Sequence, residues 1–299
     1  MSLDVTICQK GLFKKSLPTA VILGNSLKCG TYDFAQRLVE GEPAPEADGF
    51  AAFTPTQLGR GICVTWSPHE KRCVVLRLLT PTCSAEVREF FDVMKRIMGY
   101  WKAELLVEGE ATTPEAWQGT LDDYLAFNAR AVTTACEEVL SEEGKTMTLF
   151  SAFWPLTMGE EEARGFLAAP DPFAEFERWL HERQSVDAYY AAPQLFRMRD
   201  DAGRQTGTVG RYVLTEDCRS IFPRVPGVPF GMIDGDTGQV PECHDFRVNL
   251  CATGGEGIIG ELPYDEFLAK LPESRASRYD AKCLLIEDVS LPEMRAMLA

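Results

Sequence analysis

Residues 60–101 read RGICVTWSPHEKRCVVLRLLTPTCSAEVREFFDVMKRIMGYW, and the spacing of their apolar side chains changes halfway along. RGICVTW (60–66) and RCVVLRLL (72–79) are short apolar runs rich in β-branched residues, and SPHEKR between them has the polar, proline-bearing content of a turn. Such a pair predicts an antiparallel hairpin. From Ser84 the pattern is helical, because Val87, Phe90, Phe91, Met94, Ile97, Met98 and Trp101 fall on one face at 3.6 residues per turn. Pro81 just ahead, with Thr82 or Ser84 as N-cap, sets where the helix starts, and AELLVEG (103–109) predicts a further strand. A hairpin joined to a long amphipathic helix points to an α+β arrangement.

Working outward, Leu3–Cys8 and Thr19–Leu23 are expected as strands, and Tyr32–Val39 as a helix. A second helix is expected from Asp122 to about Glu142, with Thr120 as cap and Gly144 as stop. TMTLFSAFW predicts a strand closed by Pro155, and Asp171-Pro172 opens a helix whose apolar face is Phe173, Phe176, Trp179 and Leu180. AYYAAPQLFRM and GTVGRYVLT read as a hairpin over RDDAGRQT, and the three prolines of FPRVPGVPFG exclude a central strand or helix there.

The expected fold class is α+β, with mixed or antiparallel sheets and packed amphipathic helices. A strand ending at Thr80-Pro81-Thr82, a helix and a late tryptophan (Trp101) recur at Pro155-Leu156-Thr157 and Trp179. This suggests two similar lobes, 1–144 and 145–299, against the alternative of one compact unit.

The stretch from Leu58 to Ile97 resembles a bacterial family of proteins of this length classed as a domain of unknown function. The features that carry the resemblance are Gly59-Arg60-Gly61 followed by a strand, a second strand closing on Thr80-Pro81-Thr82, and an amphipathic helix with paired phenylalanines. The resemblance implies an α+β protein in a bacterial cytosol and brings no catalytic residues with it.

Charge narrows the function classes. Thirty basic against 45 acidic side chains leave a net −15, which repels nucleic acid and anionic membrane surfaces and favours a basic protein partner. Candidate acidic patches are Glu137, Glu138, Glu142 and Glu143 at a helix end and Glu160-Glu161-Glu162 after Gly159. No apolar run reaches the roughly 20 residues of a membrane span, and the N-terminal residues do not read as a signal peptide. The ten cysteines form no CxxC pair and mostly sit in apolar runs, and there are three histidines. Reduced thiols in a cytosol, with neither disulfides nor a metal site, are therefore expected.

The one cofactor-like motif is Gly255-Glu256-Gly257-Ile258-Ile259-Gly260, which matches the dinucleotide GxGxxG. In that fold the helix begins within the glycine loop, whereas here two isoleucines favour a strand and Pro263 would fall inside the helix. A hairpin turn between VNLCAT and IIGEL, then a short helix opened by Pro263, is the expected structure, with no cofactor. Asp234 and Asp236 resemble the start of a calcium loop, but the glycine sits at the fifth position and Asp245 replaces the closing glutamate. Cys243-His244-Asp245 lacks a nucleophile-base pairing, since neighbours on an extended chain face opposite ways. Arg197 and Arg199 would share a face of the 190s hairpin and, with His244, form the candidate site for an anionic ligand. The leading expectation is an acidic cytosolic binding protein without catalytic activity; the alternative is an enzyme or small-molecule binder using Arg197 and Arg199.

Overall fold

A computed structural model describes residues 1–299 apart from 12–14, 45–46, 67–72, 230 and 233–237. The chain divides into two compact units, Met1–Asp33 with Leu38–Ser185, and Phe34–Arg37 with Val186–Ala299. The boundary falls at Ser185 and not at 144, because the two helices that follow residue 144 pack against the long helix that precedes it.

The first unit starts with β1 (Ser2–Gln9), α1 (Thr19–Leu23), β2 (Lys28–Tyr32), β3 (Leu38–Glu40) and β4 (Gly49–Phe53). It continues with β5 (Ile62–Trp66), β6 (Cys73–Leu79), α2 (Ser84–Tyr100), β7 (Ala103–Val107), β8 (Glu110–Thr112) and α3 (Pro114–Gln118). It closes with α4 (Leu121–Leu140), β9 (Met147–Leu149), β10 (Leu156–Met158), α5 (Glu160–Ala168) and α6 (Pro172–Gln184). Eight strands form one antiparallel sheet in the order β3-β2-β4-β5-β6-β1-β7-β8. The expected hairpin is β5 and β6, paired from Ile62↔Leu78 to Trp66↔Val74; its SPHEKR connection, with His69, lies outside the described residues.

The helical stripe does what its spacing predicts. Val87, Phe90, Phe91, Met94 and Ile97 of α2 are buried in one core with Val5, Ile7, Val64, Val74 and Leu76 of the sheet. Burying five such side chains contributes roughly 1.5–3 kcal/mol each and holds helix and sheet together.

Three local expectations are corrected here. Thr19–Leu23 is the helix α1, because the Arg96 guanidinium of α2 donates to the Ile22 carbonyl from Nε (3.2 Å) and Nη2 (2.8 Å) and caps its C-terminal end. The region 32–39 holds no helix; β2 and β3 pair antiparallel, and the Val39 carbonyl comes so close to Gly30 that a Cβ there would lie 2.5 Å from it. The cysteines are not all reduced. The β1–β6 register sets Cys8 opposite Cys73 with Cα atoms 4.1 Å apart, and the two are joined as a disulfide across a sequence separation of 65 that hides the pairing.

The second unit contains β11 (Tyr189–Tyr190), β12 (Gln194–Arg199), β13 (Gln205–Thr215), β14 (Ser220–Pro223), β15 (Asp245–Ala252) and β16 (Gly257–Pro263). After these come α7 (Tyr264–Lys270), β17 (Ala276–Arg278), β18 (Cys283–Ile286) and α8 (Leu291–Leu298). Its two four-stranded sheets, β11-β14-β18-β17 and β12-β13-β15-β16, are mixed, since β11–β14 and β13–β15 pair parallel. Tyr212, Leu214, Phe222, Val248, Leu250, Phe267, Ile286 and Met294 form a core that both sheets share with α7 and α8. This plan differs from that of the first unit, and both copies of the proline-threonine pattern, with Trp101 and Trp179, fall in the first unit. The pattern therefore does not mark one lobe each.

The glycine motif is a turn. Ala252 pairs with Gly257 across it, and Pro263 precedes α7 as expected. Each motif glycine has a local cause: Gly255 and Gly257 have φ of +93° and +69°, and a Cβ on Gly260 would lie 2.5 Å from Leu298 Cδ2 of α8. Asp234 and Asp236 lie outside the described residues. Among the described residues no helix is long and apolar enough to cross a membrane, and no group of three or more His, Cys, Asp or Glu side chains is arranged to hold a metal ion.

Candidate functional site: the Gly59-Arg60-Gly61 loop

A dense buried polar network lies in the first unit, around the loop that leads into β5. Glu86, in the first turn of α2, is fully buried. Its Oε2 accepts the Arg60 N–H at 2.8 Å, its Oε1 accepts the Gly61 N–H at 2.7 Å, and the Thr82 hydroxyl donates to it as well. Thr82 Oγ1 shares the Arg60 N–H at 3.0 Å. Gly59 must be glycine, because a Cβ there would stand 2.6 Å from Glu86 Oε2 and 2.7 Å from Thr82 Oγ1.

Two further helices complete the frame. Asn128 of α4, fully buried, accepts from Thr82 N at 2.9 Å and donates to Thr82 O at 2.8 Å. On α6, Glu177, His181 and Gln184 fall on one face at i, i+4 and i+7. Glu177 accepts the Ser84 N–H at the start of α2, His181 Nδ1 accepts the Leu58 N–H at 3.0 Å, and Gln184 donates to Gly59 O at 2.8 Å while accepting Phe153 N–H at 2.9 Å. The backbone from Leu58 to Gly61 is thus held from several sides, by the half-buried His181 and the buried Thr82, Glu86 and Gln184.

Arg60 behaves differently. Its side chain leaves the carboxylate that binds its backbone, and Nε donates to Phe150 O at 2.9 Å. The residue is 7% exposed, and burial pulls its pKa down to about 10 against the opposing pull of Glu86. Burial likewise pushes the Glu86 carboxyl above its ordinary range, while the three donors and the Arg60 charge act in the other direction. Tyr32, whose hydroxyl faces Ser151 O at 3.5 Å, is pushed up chiefly by burial and keeps its proton.

The residues singled out in the sequence lie in the second unit. Arg197 sits opposite Thr208 and Arg199 opposite Gln205, and the register shift between Met198 and Arg199 passes over Thr206 of the partner strand. Arg199 Nη1 donates to Gly203 O in the turn at 2.8 Å. His244 is exposed, its side chain 88% accessible, with Glu242 Oε2 4.0 Å from Nε2. Cys243 Sγ lies 3.4 Å from both Thr208 O and Asp245 O, either of which can accept its one S–H, and burial is the main cause raising its pKa. Other arginines of this unit are ion-paired within the chain: Arg211 and Arg247 with Glu261, Arg219 with Glu287, and Arg275 with Glu293.

Sequence reasoning named Gly59-Arg60-Gly61 as a motif but missed Glu86, Asn128 and Gln184 as its supports. A signal existed, since Glu86 and Gln184 are polar side chains on the apolar faces of their helices, but the partner of each lies more than twenty residues away.

Fold and site together define an α+β protein built on antiparallel and mixed sheets, with a buried arginine loop in its first unit. The chain belongs to the family described as a domain of unknown function, DUF4299, which matches residues 2–297. No curated protein and no solved structure matches it.

Proposed function

We propose that the protein works by binding and not by catalysis, and that its partner is a basic protein. The observation that carries this is the charge at the end of α4. Glu137, Glu138, Glu142 and Glu143 are exposed there, and the last turn of the helix contains no basic residue. Carboxylates at a helix C-terminus oppose the macrodipole, so helix stability does not account for them. Lys145 pairs with Glu138 at 2.5 Å. The other three have no ion pair among the described residues and present a net negative surface that steers a cationic partner.

The chemistry of the other groups supports the same class. Burial raises the pKa of Cys83, Cys136 and Cys283, which keeps these thiols protonated and poorly nucleophilic. His181 uses Nδ1 on a backbone N–H. An anionic ligand at Arg197 and Arg199 is the weaker alternative, because Arg199 is already engaged with Gly203 O.

Affinity capture from native lysate at low and at moderate salt tests the proposal when run beside the variant carrying Glu137→Lys, Glu142→Lys and Glu143→Lys. A basic protein held by the natural chain at low salt, and lost both with added salt and with the variant, is expected. Capture that ignores both changes, or no specific capture at either salt, sinks it.

A further inference from the structure

We infer that the guanidinium of Arg60 is the recognition group of a site for one small oxyanion, a carboxylate or a phosphate. This site is separate from the carboxylates of α4 and does not depend on the basic-partner proposal.

Arg60 is the only arginine among the buried residues of the described chain. Two more exposed arginines of the same unit have carboxylates at hand: Arg77 pairs with Asp4 at 2.6 Å, and Arg96 lies 3.5 Å from Glu89. No carboxylate of the described residues stands within ion-pairing distance of the Arg60 guanidinium, and its one hydrogen bond is from Nε to Phe150 O. The nearby carboxylate, Glu86, is occupied by the backbone of Arg60 and Gly61 and by the Thr82 hydroxyl. A charge removed from water without an ion-paired counter-ion is costly, and the usual remedy is a hydrogen-bonded partner of opposite sign.

The remaining donors suit such a partner. Among the described residues Nη1 and Nη2 have no hydrogen-bond partner, and neither is among the fully sealed polar atoms that lack one, so they stay open to an incoming group. Paired N–H groups on a planar fork match the two oxygens of a carboxylate or phosphate. Tyr32 brings a second donor to the same loop: its hydroxyl lies 3.4 Å from the position of a Gly61 Cβ, and its only acceptor among the described residues, Ser151 O, is 3.5 Å away. The backbone that carries Arg60 is locked by Glu86, Thr82 and Gln184, so little ordering is left for binding to impose. A net charge of −15 repels a polyanion and leaves a small anion as the acceptable guest.

The test uses the full chain at constant ionic strength. Inorganic phosphate, sulfate and malonate are titrated by isothermal calorimetry and by thermal shift, with chloride as the control anion. Saturable binding of at least one oxyanion and none of chloride is expected. Arg60→Lys, which keeps the charge and loses the fork, should weaken binding by roughly tenfold or more, the equivalent of one charge-assisted hydrogen bond. Tyr32→Phe should weaken it less while leaving the fold intact, and it decides the matter where Arg60→Lys does not fold. No saturable binding by the natural chain overturns the inference. So does binding of undiminished strength in a folded Arg60→Lys, or in Tyr32→Phe where only that variant folds.

Discussion

Glu86 binds Arg60 through the backbone and not through the side chain: its carboxylate accepts the Arg60 N–H at 2.8 Å, while the Arg60 guanidinium turns to Phe150 O at 2.9 Å. The consequence is a buried acid that acts as a loop clamp. Replacing Glu86 with Ala orphans the Gly61 N–H, leaves the Arg60 N–H to Thr82 Oγ1 alone, and removes the buried carboxylate that favours the Arg60 charge. A loss of about 3–5 kcal/mol in urea-unfolding free energy is expected. Glu86→Gln, which can still accept at one atom, should lose less. A Glu86→Ala loss below about 1 kcal/mol would mean that the clamp does not hold the loop.

Acid should act through Glu293. Its carboxylate accepts from Arg275 Nε at 2.9 Å and from Ser290 N at 2.8 Å at the start of α8, and these partners hold its pKa down at about 2 against an ordinary 4.5. The unfolded chain takes up this proton first as pH falls, so the stabilisation is complete above about 4.5 and disappears as pH drops toward 2. In Glu293→Gln, the slope of melting temperature against pH should flatten in that window and keep its natural value above it. An unchanged slope between those limits refutes the assignment.

Gly260 meets α8 directly. Alanine there puts a methyl group 2.5 Å from Leu298 Cδ2, and because the clash is with the end of a leucine side chain the cost should be about 1 kcal/mol. Adding Leu298→Ala removes the clash, so the double variant should be more stable than the sum of the two single losses. Additivity in chemical denaturation would show that the two positions do not touch.

Cys8 and Cys73 close a loop with a sequence separation of 65. Cys8→Ser, or reduction of the natural chain, should lower stability by about 2–4 kcal/mol. Peptide mapping without reductant should find the Cys8 and Cys73 peptides linked and Cys83 and Cys136 free. Finding both linked cysteines as free thiols in unreduced protein would contradict the pairing.

Local patterns were legible wherever one element decides its own state. The β5–β6 hairpin and α2 follow from alternation and 3.6-residue spacing, and the turn at Gly255 and Gly257 follows from two isoleucines and a proline. Thr19–Leu23 differs from its expectation because a threonine and four apolar residues suit a strand as well as a short helix, and what selects the helix is Arg96, far along the chain. The region 32–39 differs from its expectation because its conformation depends on a close approach between Gly30 and Val39.

By itself the sequence determined the α+β class, the buried stripe of α2, the excess of negative charge and the turn in place of a nucleotide loop. Each of these depends on composition or on spacing within about one element. Only the tertiary structure decided that Cys8 meets Cys73, that Glu86 and Gln184 grip the backbone beside Arg60, and that Arg60 is left without an acidic partner. Those are contacts between residues 25 to 125 positions apart, as Gly61 with Glu86 and Gly59 with Gln184 illustrate. Short-range periodicity carries no record of them, because which distant polar groups are buried together is set by how the sheet and helices pack.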